Sequence, residues 1–217
     1  MKAIRPDICV SIGNVDFHAI SNLLPKLSLA EIRIDLLNLN RDELKLLFGL
    51  HDNLIATYRP KESEFDVMLN LLTDTIGYGA AWVDVDIDTP TEIIREITAI
   101  AQAANCKVII SYHNYTETPT YARLKKITEN AQTYDVSLVK IACMANSTSD
   151  CARVLSLYEE NTRIVAFCMG QVGTITRVAA PLLGAPFTYA ALPGNQTAPG
   201  QLDYIYLESL LDSLKPL

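Results

Sequence analysis

Lys140 stands in VSLVKIA, a cation among Val139, Ile141 and Ala142. Two readings fit a lysine in so apolar a run. It is a structural cation paired with an interior carboxylate such as Asp84 or Asp86, or it is a nucleophile. In the second case desolvation and neighbouring cations lower its pKa from about 10.4, leaving neutral amine to attack a ketone. His113, in KVIISYHNY, follows another apolar run. A histidine there is either a structural hydrogen-bonder or a proton carrier, because its reference pKa of about 6.5 permits both acceptance and donation near neutrality. The other two histidines, His18 and His51, fall in or beside predicted helices and read as surface or helix-end residues. Arg33, Arg59 and Arg177 also fall at or just after apolar segments. Any one of them suits a salt bridge. Converging, they suit a carboxylate and hydroxyl groups, since the guanidinium fork matches planar anions, and they disfavour protonation of a nearby lysine.

The elements that must position these residues alternate along the whole chain. Strands are predicted at 8–12 (ICVSI), 30–36 (AEIRIDL), 54–59 (LIATYR), 81–87 (AWVDVDI), 107–112 (KVIISY), 136–142 (VSLVKIA), 163–168 (RIVAFC) and 187–192 (FTYAAL). Helices are predicted at about 15–26, 40–48, 64–77, 91–104, 118–132, 148–160, 173–180 and 201–214. The run from Thr91 places Ile93, Ile94, Ile97 and Ile100 at helical spacing, and Ser147 to Asp150 supply caps for the sixth helix. This alternation predicts an α/β fold, a single (β/α)₈ barrel spanning residues 1–217. A doubly wound open sheet is the rival. Its Gly-rich first turn is missing, because Ile12-Gly13-Asn14-Val15 carries neither GxGxxG nor GxxxxGK[ST]. In a barrel, Lys140 and His113 sit at the same end of adjacent strands.

Two strands alternate charge with apolar residues. Glu31, Arg33 and Asp35 oppose Ile32, Ile34 and Leu36, while Asp84, Asp86 and Asp88 oppose Val83, Val85 and Ile87. In a barrel the apolar side packs on helices and the charged side faces inward. Buried charge is costly unless paired, so such a stripe marks a salt-bridged layer, a ligand site, or both.

Composition narrows the partners. The chain has 217 residues, 49% hydrophobic, with a formal charge of -7 and no Lys/Arg block, which argues against nucleic acid but not against a small anion held by local arginines. Five cysteines, Cys9, Cys106, Cys143, Cys151 and Cys168, lack CxxC spacing and read as buried thiols in a reducing compartment. MKAIRPDICV has no signal-peptide core and no later run is long enough to span a membrane, so a cytoplasmic location is expected. The carboxylates of DVDID lack calcium-loop spacing and His113 lacks a second histidine at ligand spacing, so no metal is expected. MGQVGT, at 169–174, is a weaker candidate for binding phosphate at a helix start.

EIRID (31–35), TYRP (57–60), SYHNY (111–115), VKIA (139–142), MGQVGTITR (169–177) and APGQ (198–201) together resemble the ordered motif set of type I 3-dehydroquinate dehydratases, from about residue 8 to residue 207. The resemblance implies a (β/α)₈ barrel, commonly dimeric, converting 3-dehydroquinate to 3-dehydroshikimate in the shikimate pathway without a cofactor. It implies that Lys140 forms the imine and His113 is the general acid/base. Glu31, Arg33 and Arg59 then contact substrate hydroxyls or order the pocket, Arg177 and Gln201 hold the carboxylate, and Met169, Thr197 and Tyr189 line or close over the ring. Thr197 stands where serine is common and preserves the hydroxyl. One departure concerns the glutamate that orients the histidine. RPKESEFD offers Glu62 and Glu64 around Ser63 with no glycine pair, and Glu62 is the reading taken here. The alternatives are another imine-forming barrel, such as a class I aldolase, or a catalytically silent binding barrel.

Overall fold

A computed structural model describes residues 7–159 and 163–214. Strands and helices alternate: β1 (Asp7–Ile12), α1 (Phe17–Leu23), β2 (Leu29–Arg33), α2 (Arg41–Leu50), β3 (Leu54–Thr57), α3 (Phe65–Gly77), β4 (Trp82–Asp86) and α4 (Thr91–Ala103). The second half continues with β5 (Lys107–Asn114), α5 (Tyr121–Gln132), β6 (Leu138–Met144), α6 (Thr148–Leu155), β7 (Ile164–Met169), α7 (Gly170–Leu182), β8 (Phe187–Ala191) and α8 (Tyr204–Ser213). The strands form one 8-stranded sheet in the order β7-β6-β5-β4-β3-β2-β1-β8, and every pairing is parallel. This is the expected (β/α)₈ barrel.

Local chemistry sets the boundaries. Asn40 and Glu43 close a capping box on α2, and Ser147 with Asp150 does the same for α6. The second strand is shorter than its alternation suggested: it stops at Arg33, and Ile34–Leu36 form a 3₁₀ turn. The turn brings Asp35 alongside Arg33, whose Nε and Nη2 donate to its two carboxylate oxygens at 2.9 and 2.6 Å. β5 is longer than expected and runs through His113 to Asn114. The last part of the sixth predicted helix is a 3₁₀ turn at Ser156–Glu159, and residue 160 lies outside the described residues.

Alternation along each strand sorts side chains into two layers. One set, including Ile12, Ile32, Val83, Ile110 and Ile141, packs outward under the helices. The opposite set, including Cys9, Leu29, Ile55, Ile109, Val165 and Phe187, fills the barrel interior. All five cysteines are buried and free. Among the described residues, no helix is long and apolar enough to cross a membrane.

The hydrogen-bonded order begins at β7 and ends at β8, so the seam between them needs other partners for its backbone groups. Tyr158 supplies two bonds to Ala166 of β7, its hydroxyl accepting from the N–H at 2.7 Å and donating to the C=O at 2.9 Å. Thr176 Oγ1, on α7, accepts from Cys168 N at 2.7 Å, and Thr188 Oγ1 of β8 donates to Arg177 O at 2.8 Å. Thus α7 is stitched into the seam. Gly173 permits that approach, because a Cβ there would lie 2.7 Å from the Cys168 carbonyl carbon. Gly173→Ala should lower stability by about 1–3 kcal/mol through forced displacement of α7. Chemical denaturation at neutral pH checks this, with an unchanged midpoint counting against the close fit.

Candidate active site

One inward polar residue from each of β1 to β6 joins a single network above the apolar interior. Lys140 Nζ donates to Glu31 Oε1 at 3.1 Å and to Asp84 Oδ2 at 3.0 Å. Ser11 and Thr57 hydroxyls donate to the two oxygens of Glu31, at 2.6 and 3.1 Å. Ser111 Oγ donates to Asp84 Oδ1 at 2.6 Å, and Arg59 Nη2 donates to the same oxygen at 2.6 Å. The Tyr189 ring packs against the ammonium, with Nζ 4.0 Å from its centroid. The charges touching Lys140 are therefore carboxylates. The expected crowd of cations is itself neutralised, Arg59 by Asp84 and Arg33 by Asp35.

The network fixes the ionisation of its members. Burial alone would raise the Glu31 pKa, but Lys140, Arg33 and the Ser11 hydroxyl hold it below the ordinary value despite Asp84. Asp84 is also held well down, with burial outweighed by Arg59, Lys140, His113 and Ser111. Burial opposes the Arg59 cation, yet Asp84, Asp86 and Glu31 raise its pKa.

His113 lies two residues beyond Ser111, the register partner of Lys140, on the same inward side of the adjacent strand. Its Nδ1 is 2.7 Å from Asp86 Oδ2, and the Tyr115 ring stacks near it at 6.1 Å between centroids. Burial and the Arg59 charge lower the His113 pKa from its ordinary value, while Asp86 works the other way, so the imidazole is neutral at pH 7.

Arg177 reaches the interior through the β7–β8 seam. It is fully buried, its guanidinium lies 4.4 Å from the Phe167 ring centroid, and Nη1 donates to Tyr189 O at 3.4 Å. Nε and Nη2 have no hydrogen-bond partner. Burial without a counter-ion lowers its pKa to about 10, which still leaves it cationic at neutral pH.

The segment after β8 covers the opening. Gly200, at φ 72°, sits so close to Gly170 that a Cβ would collide with the Gly170 carbonyl oxygen. Gly170 N donates to Pro199 O at 3.2 Å. Gln201 Oε1 accepts from Thr197 N and Ala198 N at 2.8 and 3.1 Å, which leaves its side-chain N–H groups as donors. Thr197 Oγ1 donates to Ser11 Oγ at 2.8 Å and, through the Ser11 bond to Glu31, ties the loop to that carboxylate. Thr197, Ala198 and Gln201 of this segment border, with Lys140, His113 and Arg177, a single cleft that also takes in Met169. Among the described residues, no group of three or more His, Cys, Asp or Glu side chains is arranged to hold a metal ion.

The family model for type I 3-dehydroquinase matches residues 8–217. The chain belongs to the type I 3-dehydroquinase family. A curated 3-dehydroquinate dehydratase from Dehalococcoides mccartyi is 34% identical over 184 residues, 79% of each chain. One from Thermococcus gammatolerans is 35% identical over 193 residues, 84% of this chain and 86% of the relative. The type I 3-dehydroquinate dehydratase of Clostridium difficile, solved with covalently modified comenic acid, superimposes with a TM-score of 0.85 at 26% identity, covering 97% of this chain and 92% of that one.

Lys140, His113, Glu31, Arg33, Arg59, Arg177, Met169, Tyr189, Thr197 and Gln201 all border the one cleft. Glu62 does not join them. It is exposed on the 3₁₀ turn Glu62–Glu64, and Glu64 Oε2 instead accepts from Lys61 N at 3.0 Å. The carboxylate against His113 is Asp86. Alternation along β4 marks Asp84 and Asp86 as an inward stripe without separating their partners, and no charge marks Ser11, Thr57 or Ser111. Those three share the inward phase of their strands, a signal that period-2 alternation carries but that small hydroxyl residues do not advertise.

Lys140→Met keeps the bulk but strands Glu31 beside Asp84. We expect a loss of about 3–5 kcal/mol at pH 7. In the parent, lowered carboxylate pKa values make stability fall as pH drops below about 4. In the variant, Glu31 loses its main stabilising cation and titrates higher, so part of the loss should be recovered between pH 7 and pH 5. Denaturation midpoints across that range check the sign, and parallel curves for the two proteins would refute it.

Proposed function

We infer that this chain is a lyase that dehydrates 3-dehydroquinate to 3-dehydroshikimate through an imine on Lys140, a step of the shikimate pathway. The observation that carries the substrate class is Arg177. A buried guanidinium with two unpartnered nitrogens, in a cleft that also contains a lysine and a neutral histidine, calls for an anionic ligand bearing a ketone. A carboxylate on Arg177, with Gln201 donating from its amide, completes the missing hydrogen bonds and directs the ketone toward Lys140.

The chemistry follows from the neighbours of each group. Glu31 and Asp84, both in contact with the ammonium, are placed to take its proton as the amine attacks the ketone. The carbinolamine loses water and becomes a protonated imine, which is an electron sink. Neutral His113 withdraws the adjacent proton to give an enamine. The enamine electrons expel the β-hydroxyl, which the protonated His113 converts to water. One group serving both transfers requires proton and hydroxyl to leave from the same face. Hydrolysis of the product imine frees Lys140. Glu31, Arg33 and Arg59 order the cleft and its hydroxyl contacts, Thr197 holds the covering loop, and Met169 and Tyr189 line the ring, so binding energy positions the reacting carbon.

Borohydride reduction in the presence of 3-dehydroquinate, followed by peptide mapping, should place a ligand-sized adduct on Lys140. Rapid dehydration with no adduct would remove the covalent step from the mechanism, and a product of carbon–carbon cleavage would point to an aldolase. A homodimer in the cytoplasm is the assembly and location we propose; exposed Ile175 and Leu182 on α7 and Leu183 just after it, with Ile205 and Tyr206 on α8, supply apolar surface for a second copy. Light scattering should return twice the 24.0 kDa chain mass, and a monomer at micromolar concentration would exclude the dimer.

A further inference from the structure

Two glutamates follow Arg59, yet neither faces the histidine. Glu62 is exposed, and Glu64 is engaged with the backbone of its own turn. Asp86 stands in the place such a carboxylate would have to occupy, reached from a strand instead of a loop. Its Oδ2 is 2.7 Å from His113 Nδ1, and its Oδ1 accepts from Asp88 N at 3.1 Å. Both oxygens are thus fixed, on a short side chain at the end of a paired strand. We propose that Asp86 is the positioning residue for His113 in this chain, holding Nδ1–H so that unprotonated Nε2 is the atom that exchanges protons with substrate. The proposal rests on the reading of His113 as the proton carrier.

The argument is one of donors and acceptors. Asp86 is held ionised by the His113 hydrogen bond and the Arg59 charge against the effect of burial, so it can only accept. A neutral imidazole facing an obligate acceptor must carry its hydrogen on Nδ1. Arg59, just after β3, and Lys140, on β6, face the ring and disfavour its protonation, while Asp84, Asp86 and Asp88 from β4 and its following turn favour it. Removing the Asp86 charge therefore moves the balance toward the neutral ring. In Asp86→Asn, the amide can donate to Nδ1 and force the hydrogen onto Nε2, giving a neutral ring that cannot act as a base.

The test compares Asp86→Asn with Glu62→Gln and Glu64→Gln. We expect Asp86→Asn to lower kcat by roughly 100-fold or more, as wrong-tautomer variants of hydrogen-bonded histidines do, with KM changed less than about threefold. The acidic limb of kcat/KM should move to lower pH, and borohydride should still trap an adduct on Lys140. Both glutamine variants should stay within about twofold of the parent. Imidazole ¹⁵N shifts of the parent at pH 7.5 give a readout independent of any variant's folding and should identify the Nδ1–H tautomer. An Nε2–H tautomer in the parent, an Asp86→Asn enzyme with parental kcat and pH profile, or an equal loss in Glu62→Gln would each overturn the assignment. A parent that does not dehydrate 3-dehydroquinate would instead overturn the underlying functional reading.

Discussion

An ammonium buried inside a barrel is the constraint that organises this molecule. Lys140 is only 5% exposed, and it sits between Glu31 and Asp84 with the face of Tyr189 against it. Each carboxylate that neutralises the lysine must in turn have its remaining lone pairs satisfied, or the cost of burying it is not recovered. Ser11 and Thr57 do this for Glu31, and Ser111 and Arg59 do it for Asp84. The inward positions of six consecutive strands, β1 to β6, are thereby determined by one cation.

The remaining two strands solve a different problem. Because the ladder does not run from β7 to β8, their seam is closed by side chains of α7 and by Tyr158. That opening allows Arg177 to pass from a helix into the interior, where an arginine on a fully paired strand would have to displace a neighbour. Its free nitrogens are the counterpart of the crowded lysine: one cation arrives with its anions built in, the other keeps two nitrogens without an acceptor. The covering loop is coupled to both. Its Gly200 packs on Gly170 at the start of α7, and its Thr197 bonds Ser11, which bonds Glu31. A change in the loop is thus felt at the lysine through three hydrogen bonds, Thr197 to Ser11, Ser11 to Glu31 and Lys140 to Glu31.

Much of this was legible along the chain. Apolar runs of strand length separated by amphipathic segments placed all eight strand-helix units, because period 2 and period 3.6 are properties of local geometry. Alternation in AEIRID and WVDVDID identified carboxylates that a barrel must turn inward, and an isolated lysine within VSLVKIA marked the residue they neutralise. Glu31 and Asp84 themselves are far from Lys140 in sequence, and nothing local pairs them.

What the sequence by itself determined was the order of elements and the chemical types available at their ends. Tertiary structure decided which of those types meet. Asp86 rather than Glu62 holds His113 because the β4–β5 register places an inward aspartate beside the ring, while the turn after β3 points its glutamate to solvent. Arg177 keeps Nε and Nη2 without an acceptor because the seam gives it entry but no carboxylate faces it there. Both outcomes depend on distances between strands separated by tens of residues, and a pattern read within a few residues of itself carries no such distance.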